Sequence, residues 1–211
     1  MNWYVSPPGF IRGLFKETVW ESKSNKILLT FDDSPTEGVT ERILEKLSQT
    51  NLKVVFFCSG EKSEREPDLV NQIIKAGHTI GNHGYNHKSL LFSGKPELTE
   101  EIKKVNKIFK NSHDIDIRYF RPPYGRFTFS LETVLKNENM INILWSLLTL
   151  DYKNNLNLVK FTVGKYLNSN SIVVLHDNIK TNKIINQVID MILAEAEKRG
   201  FEIGEPKECL S

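Results

Sequence analysis

The stretch Lys26-Ile27-Leu28-Leu29-Thr30-Phe31-Asp32-Asp33-Ser34-Pro35 decides how the chain is read. Its first half is short, apolar and rich in residues that suit a buried strand. Pro35 has no N–H to offer a strand ladder, so the strand is expected to stop there. Two adjacent carboxylates therefore stand where a central strand ends, a costly place for negative charge unless a cation offsets the lost hydration. Further along, His83 and His87 in His83-Gly84-Tyr85-Asn86-His87 are spaced i and i+4 and can offer two imidazoles to one cation. Together these residues read as a His-His-Asp metal site with a second carboxylate beside it.

Outward from this stretch, short apolar runs alternate with amphipathic ones. Strands are predicted over Lys26–Asp32, Lys53–Ser59, Thr79–Asn82, Arg118–Arg121, Ile141–Trp145, Ile172–His176 and Phe201–Ile203. Helices are predicted over Thr40–Gln49, Pro67–Ala76, Leu98–Asn111, Ser130–Asn137, Leu156–Asn168 and Asn182–Arg199. Such alternation implies an α/β fold with parallel strands joined by right-handed crossovers. Asp32, Asp33, His83, Arg121, Asp151 and His176 all fall at or just after the C-terminal end of a predicted strand or apolar run. Those ends converge on one face only if the sheet curls. The expected fold is a distorted, incompletely closed (β/α) barrel of about seven parallel strands. It is expected to occupy residues 26–205 as one domain, with an N-terminal arm (1–25) packed on it and a C-terminal tail (206–211).

Composition narrows the function classes. At 211 residues, with 39% hydrophobic and 26% charged content, the chain is ordinary for one globular domain. A formal net charge of +2 with no basic stripe interleaved with aromatics gives no case for nucleic-acid binding. The two cysteines, Cys58 and Cys209, are too few for a disulfide framework and read as free thiols. No stretch approaches the roughly 20 apolar residues needed to span a bilayer. The N-terminus lacks the basic and continuous apolar regions of an export signal, which makes the cytoplasm the default location. A monomer is expected.

The remaining polar residues carry specific chemistry. Two histidine nitrogens and one aspartate oxygen suit zinc with an open position for water, although an i,i+4 pair on a surface would look the same. One of the two aspartates would ligate and the other accept a proton from water, because like charges in one site need a cation between them. In Arg118-Tyr119-Phe120-Arg121-Pro122-Pro123-Tyr124-Gly125 the prolines hold the backbone extended and fix the direction of Arg121, which can orient a carboxylate through paired hydrogen bonds. His176 ends the apolar run Ser171–Leu175 on the same predicted face as the metal ligands. A carboxylate near it, with Asp151 the candidate, would keep it protonated for a leaving group. His78 and His113 lack such company and read as ordinary, one in a helix-to-strand turn and one in a loop. Tyr85, Tyr124, Phe127, Trp145 and Tyr152, with Pro123, are candidate walls of a substrate groove, and aromatic rings in such folds are also common in the core.

Thr30–Pro35, His83–His87, Arg121-Pro122-Pro123-Tyr124, Asp151-Tyr152 and Leu175-His176 resemble, in order, the five motifs of the NodB-homology polysaccharide deacetylases, family four of the carbohydrate esterases. The resemblance runs from about Ile27 to Ile203, nearly the whole chain. It implies a distorted (β/α) barrel and removal of an N-acetyl group from an N-acetylglucosamine-type residue of an N-acetylated carbohydrate. It further implies that Asp33, His83 and His87 hold a divalent metal, usually Zn2+, with Co2+, Ni2+ or Mn2+ as other candidates. Asp32 would then be the general base, Arg121 its orienting partner, His176 the general acid and Asp151 the group that tunes it. The Tyr124 backbone amide would share the oxyanion with the metal. Ser34 stands where glycine is usual, Gly84 where serine or threonine is, and Tyr152 where tryptophan is common. Removal of a different acyl group (an O-acetyl or non-sugar amide) and an inactive metal- or sugar-binding homologue remain open alternatives.

Overall fold

The apolar runs condense into one parallel sheet. The structure, a computed structural model, describes residues 4–211, so the first three residues of the expected arm lie outside the described part. Seven strands run β1 (Leu28–Ser34), β2 (Val55–Cys58), β3 (Thr79–Asn82), β4 (Tyr119–Phe120), β5 (Ile141–Asn142), β6 (Leu147–Leu148) and β7 (Ile172–His176). Their spatial order is β5-β4-β3-β2-β1-β7-β6, with every pairing parallel. The sheet curls into an incompletely closed half-barrel, as expected.

Nine helices are found among the described residues. They are α1 (Gly9–Leu14), α2 (Thr40–Ser48), α3 (Gly60–Arg65), α4 (Pro67–Lys75), α5 (Lys95–His113), α6 (Phe129–Asn137), α7 (Leu156–Tyr166), α8 (Ile185–Lys198) and α9 (Pro206–Cys209). The six long helices match the sequence expectation to within a few residues. The predicted strand at Phe201–Ile203 is instead a single bridge between Ile27 and Ile203. The strand not foreseen is β6, Leu147–Leu148, which lies past the end of the predicted Ile141–Trp145 run. His113 closes α5 and is not a loop residue.

Alternation along β1 places the site. Leu29 and Phe31 join the large core between sheet and helices, whereas Leu28 packs with Val55, Phe57, Ile143 and Ile172 on the concave face. Side chains two apart share a face, so Leu28, Thr30 and Asp32 line the concavity in sequence. Cys209 and Leu210, buried free thiol and apolar anchor, pack into this inner cluster, so α9 fills the base of the half-barrel. On the opposite flank Val19 bridges Ile143 and Glu21 bridges Ser171, tying the N-terminal arm to both sides of the sheet. The apolar floor leaves only the strand ends open to polar groups.

Candidate active site and metal centre

Asp33 would point to the outer face if β1 stayed extended. Its backbone instead turns left-handed (φ 68°), and the β1–β2 register shifts between Phe31 and Ser34. A bulge of this kind redirects a side chain, and aspartate is among the residues that tolerate such a turn. Both carboxylates therefore reach the same concavity.

The two aspartates meet different partners. Asp33 Oδ1 lies 3.0 Å from His87 Nε2 and 3.8 Å from His83 Nε2, and one donor atom from each of the three residues falls within 4.8 Å of the others. His83 Nδ1 is engaged by the Arg121 carbonyl at 2.8 Å, which fixes the ring and turns Nε2 inward, as the outer partner of a ligating histidine does. Burial pushes the His83 imidazole below its ordinary pKa, against the pull of Asp32, which favours the neutral, ligating form. Burial would raise the Asp33 carboxyl, yet its contact with His87 and the neighbouring His176 and His83 hold it well below the usual carboxylate range. Two imidazole nitrogens and one carboxylate oxygen, grouped this closely, suit a divalent cation such as zinc.

Asp32 instead faces Arg121. Arg121 is fully buried and donates from Nη1 to Asp32 Oδ1 at 2.6 Å and to Thr30 Oγ1 at 2.7 Å. Its Nε and Nη2 donate to the carbonyls of Ile143 and Leu144 at 2.9 and 3.0 Å, and its guanidinium carbon sits 4.1 Å from the Phe57 ring centroid. A buried charge is tolerable when its hydrogen bonds are met in this way.

The opposite wall is His176 with Asp151. Leu150 adopts a left-handed turn after β6 (φ 62°), and the fully buried Asp151 follows. Its Oδ1 lies 2.7 Å from His176 Nδ1, while its Oδ2 accepts the His176 backbone N–H at 2.8 Å. Burial alone would lower the imidazole, but the Asp151 carboxylate, aided by Asp33 and Asp32, raises it to about 9. His176 is thus an imidazolium at neutral pH, able to give up a proton.

These groups open into one cavity of about 410 Å³, lined also by Tyr4, Tyr124, Trp145, Leu148, Tyr152 and Lys62. Tyr124 packs edge-on to His87 (4.6 Å) and Tyr152 to His176 (5.0 Å). Tyr85 and Pro123 are not part of this lining. Tyr85 turns towards Glu64, which accepts from its hydroxyl at 2.9 Å, and Lys104 covers its ring. Phe127 lines a neighbouring apolar cavity shared with Tyr4, Trp145 and Gly125. Gly84 has φ +73°, a conformation that glycine adopts without strain. Ser34 Oγ is buried without a hydrogen-bond partner.

Sequence reasoning missed several members of the site. Lys62, from α3, donates to the Asp33 carbonyl and to Thr36 Oγ1. Asn178 donates to Asp33 Oδ2 at 3.0 Å. Asp177 is buried behind the site and takes a 2.6 Å hydrogen bond from Thr40; burial raises its carboxyl to about 7, against the pull of that hydrogen bond. Its position directly after His176 was the available signal. Tyr4 gave none.

The family model described as polysaccharide deacetylase matches residues 21–143. A peptidoglycan-N-acetylglucosamine deacetylase of Bacillus cereus is 38% identical over 131 residues, 61% of this chain and 46% of the relative. A second Bacillus cereus protein of that name is 30% identical over 211 residues, 98% of this chain and 95% of the relative. Among solved structures, a peptidoglycan N-acetylglucosamine deacetylase in complex with 4-naphthalen-1-yl-N-oxidanyl-benzamide superposes with a TM-score of 0.86 at 26% identity, over 94% of this chain and 95% of that one. The chain belongs to the polysaccharide deacetylase family, the NodB-homology group of family four carbohydrate esterases. It spans less than half the length of the first of these relatives. No helix among the described residues is long and apolar enough to cross a membrane.

Proposed function

We propose that this chain is a divalent-metal-dependent hydrolase that removes the N-acetyl group from N-acetylglucosamine-type residues of a glycan and releases acetate. The observation that carries the reading is the separation of two proton-handling groups across one cavity: Asp32 held by Arg121 on one wall, and protonated His176 held by Asp151 on the other. A metal held by Asp33, His83 and His87 would supply Lewis-acid polarisation of the acetyl carbonyl and make water a better nucleophile at neutral pH.

The protein's own groups then divide the work. Asp32 accepts the proton of the attacking water, and Arg121 keeps its carboxylate aimed into the cavity. The developing oxyanion takes the Tyr124 backbone N–H, a kind of contact typically worth about 3 kcal/mol. An amine leaves readily only when protonated, and His176 donates that proton while Asp151 stabilises the imidazolium. Trp145, Leu148, Tyr124 and Tyr152 give the acetyl and sugar an apolar surround. The peptidoglycan-named relatives support a glycan substrate and leave open whether it is peptidoglycan, a chitin-type oligomer or a lipid-linked sugar.

The test is acetate release over a panel of N-acetylglucosamine oligomers, muropeptides and O-acetylated glycans, with divalent metal supplied. Release from N-acetylated members supports the reading. Release from O-acetylated substrates alone would replace it with an ester deacetylase, and stoichiometric metal binding without turnover would replace it with a binding protein.

A further inference from the structure

Tyr4 lies outside the family-matched residues and outside all five motifs, yet it touches the proposed oxyanion loop directly and braces it through Trp145. Its hydroxyl donates to the Tyr124 carbonyl at 2.6 Å. Its own carbonyl accepts the Trp145 indole N–H at 3.0 Å, and its ring meets that indole edge-on at 6.0 Å between centroids. Trp145 in turn lies so close over Gly125 that any side chain there would collide with the indole. The next residue, Val5, is buried and its carbonyl takes the Leu148 N–H at 2.8 Å. Tyr4, Trp145 and the Tyr124-Gly125 peptide thus form a closed ring of contacts, anchored to the β6 strand through Val5.

The gripped loop is one that needs holding. Tyr124 sits in a left-handed conformation (φ 60°, ψ 7°), which costs free energy in a residue with a side chain. The peptide that follows it is held at both ends, Gly125 N–H by the Pro122 carbonyl at 2.9 Å and Tyr124 C=O by the Tyr4 hydroxyl. No hydrogen bond from the Tyr124 N–H to an acceptor is found among the described residues, which leaves this donor open to a ligand. The two peptide planes are joined at Tyr124, so fixing the second in its left-handed relation also fixes the direction of the first.

We propose that Tyr4 is a positioning residue: its hydroxyl, by holding the Tyr124 carbonyl, keeps the Tyr124 N–H aimed where the oxyanion forms. The inference rests on the reading of Tyr124 N–H as oxyanion donor given above. It gives the N-terminal arm a part in the reaction as well as in packing.

The experiment compares the parent, Tyr4→Phe and Tyr4→Leu with metal supplied. Steady-state acetate release from an N-acetylglucosamine oligomer gives kcat and KM, and hydrogen exchange follows the peptide covering residues 122–126. Phe keeps the ring on Trp145 and removes only the hydroxyl. Loss of one such hydrogen bond should lower kcat about two- to tenfold at nearly unchanged KM. Exchange across 122–126 should speed up, with metal content and melting temperature unchanged, and Tyr4→Leu should cost kcat as much as Tyr4→Phe. A parental kcat in Tyr4→Phe alongside a loss in Tyr4→Leu would reduce Tyr4 to packing and overturn the proposal. So would a rise in KM alone, which would make Tyr4 a substrate wall, or faster exchange with parental kcat. A parent that releases no acetate from any N-acetylated glycan overturns the deacetylase reading itself, and the role of Tyr4 falls with it. An active parent with indifferent Tyr4→Phe refutes Tyr4 alone.

Discussion

Replacing Asp151 by Asn should change the pH at which the enzyme works more than how well it works at its best pH. Asn keeps the shape, can still accept the His176 backbone N–H, and removes the negative charge 2.7 Å from Nδ1. In the parent, burial opposes the imidazolium and Asp151 overrides it, with His176 raised to about 9. Without the carboxylate charge, burial is no longer outweighed from this side, and the pKa should fall to the ordinary histidine value of about 6.5 or below. A general acid works only while protonated, so activity is lost as pH rises through the folded pKa. At pH 8 the protonated fraction would drop from about 0.9 to about 0.03, a loss of roughly 30-fold, whereas at pH 6 the loss would be under about twofold. The assay is the kcat/KM profile for acetate release from pH 5.5 to about 10 in both proteins, with metal content measured alongside. An alkaline limb in Asp151→Asn that coincides with the parent's, or an activity loss of equal size at every pH, would refute the tuning role and leave Asp151 as a strut.

Four further outcomes follow from the same geometry. His83→Ala or His87→Ala should lose metal and activity together, because each removes one of three protein donors grouped within 4.8 Å; elemental analysis showing stoichiometric metal in either variant contradicts the ligand set. Asp32→Asn should retain the metal and lose most activity, since an amide cannot accept the water proton; metal loss there with retention in Asp33→Asn would reverse the two roles. Arg121→Met should destabilise the fold by about 3–5 kcal/mol, the usual effect of stripping one partner from a buried ion pair; chemical denaturation giving a change below about 1 kcal/mol contradicts the pairing with Asp32. Asp177 binds its proton more tightly folded (about 7) than unfolded, so the parent should lose stability between about pH 4 and 7 and level off above that. The melting-temperature gap between Asp177→Asn and the parent, both chelator-treated, should widen across that window, and a constant gap contradicts the raised value.

Much of this site could be read along the chain because its chemistry is tied to strand ends. Apolar runs mark β1, β2 and β7, and a polar residue just past such a run can lie only at the rim. The reading failed where local pattern and tertiary pairing part. Leu147–Leu148 pairs with β7 although it belongs to a longer apolar run, whereas Phe201–Ile203 finds a neighbour for only one residue. Tyr85 carries a motif neighbour's spacing but is drawn away by Glu64 and Lys104. The left-handed turn at Asp33 leaves no sequence signature beyond a tolerant residue type. Tyr4 is invisible from the motifs because its role is set by a contact 120 positions away.

Metal binding at Asp33, His83 and His87 and N-deacetylation should be one event. The most direct measurement titrates Zn2+ into metal-free protein while following both bound metal and acetate release from an N-acetylglucosamine oligomer. Activity rising in step with occupancy and saturating at one equivalent, with His87→Ala flat in both traces, is the predicted result. Full acetate release from the metal-free protein, or activity in His87→Ala equal to the parent's at matched zinc, would contradict it.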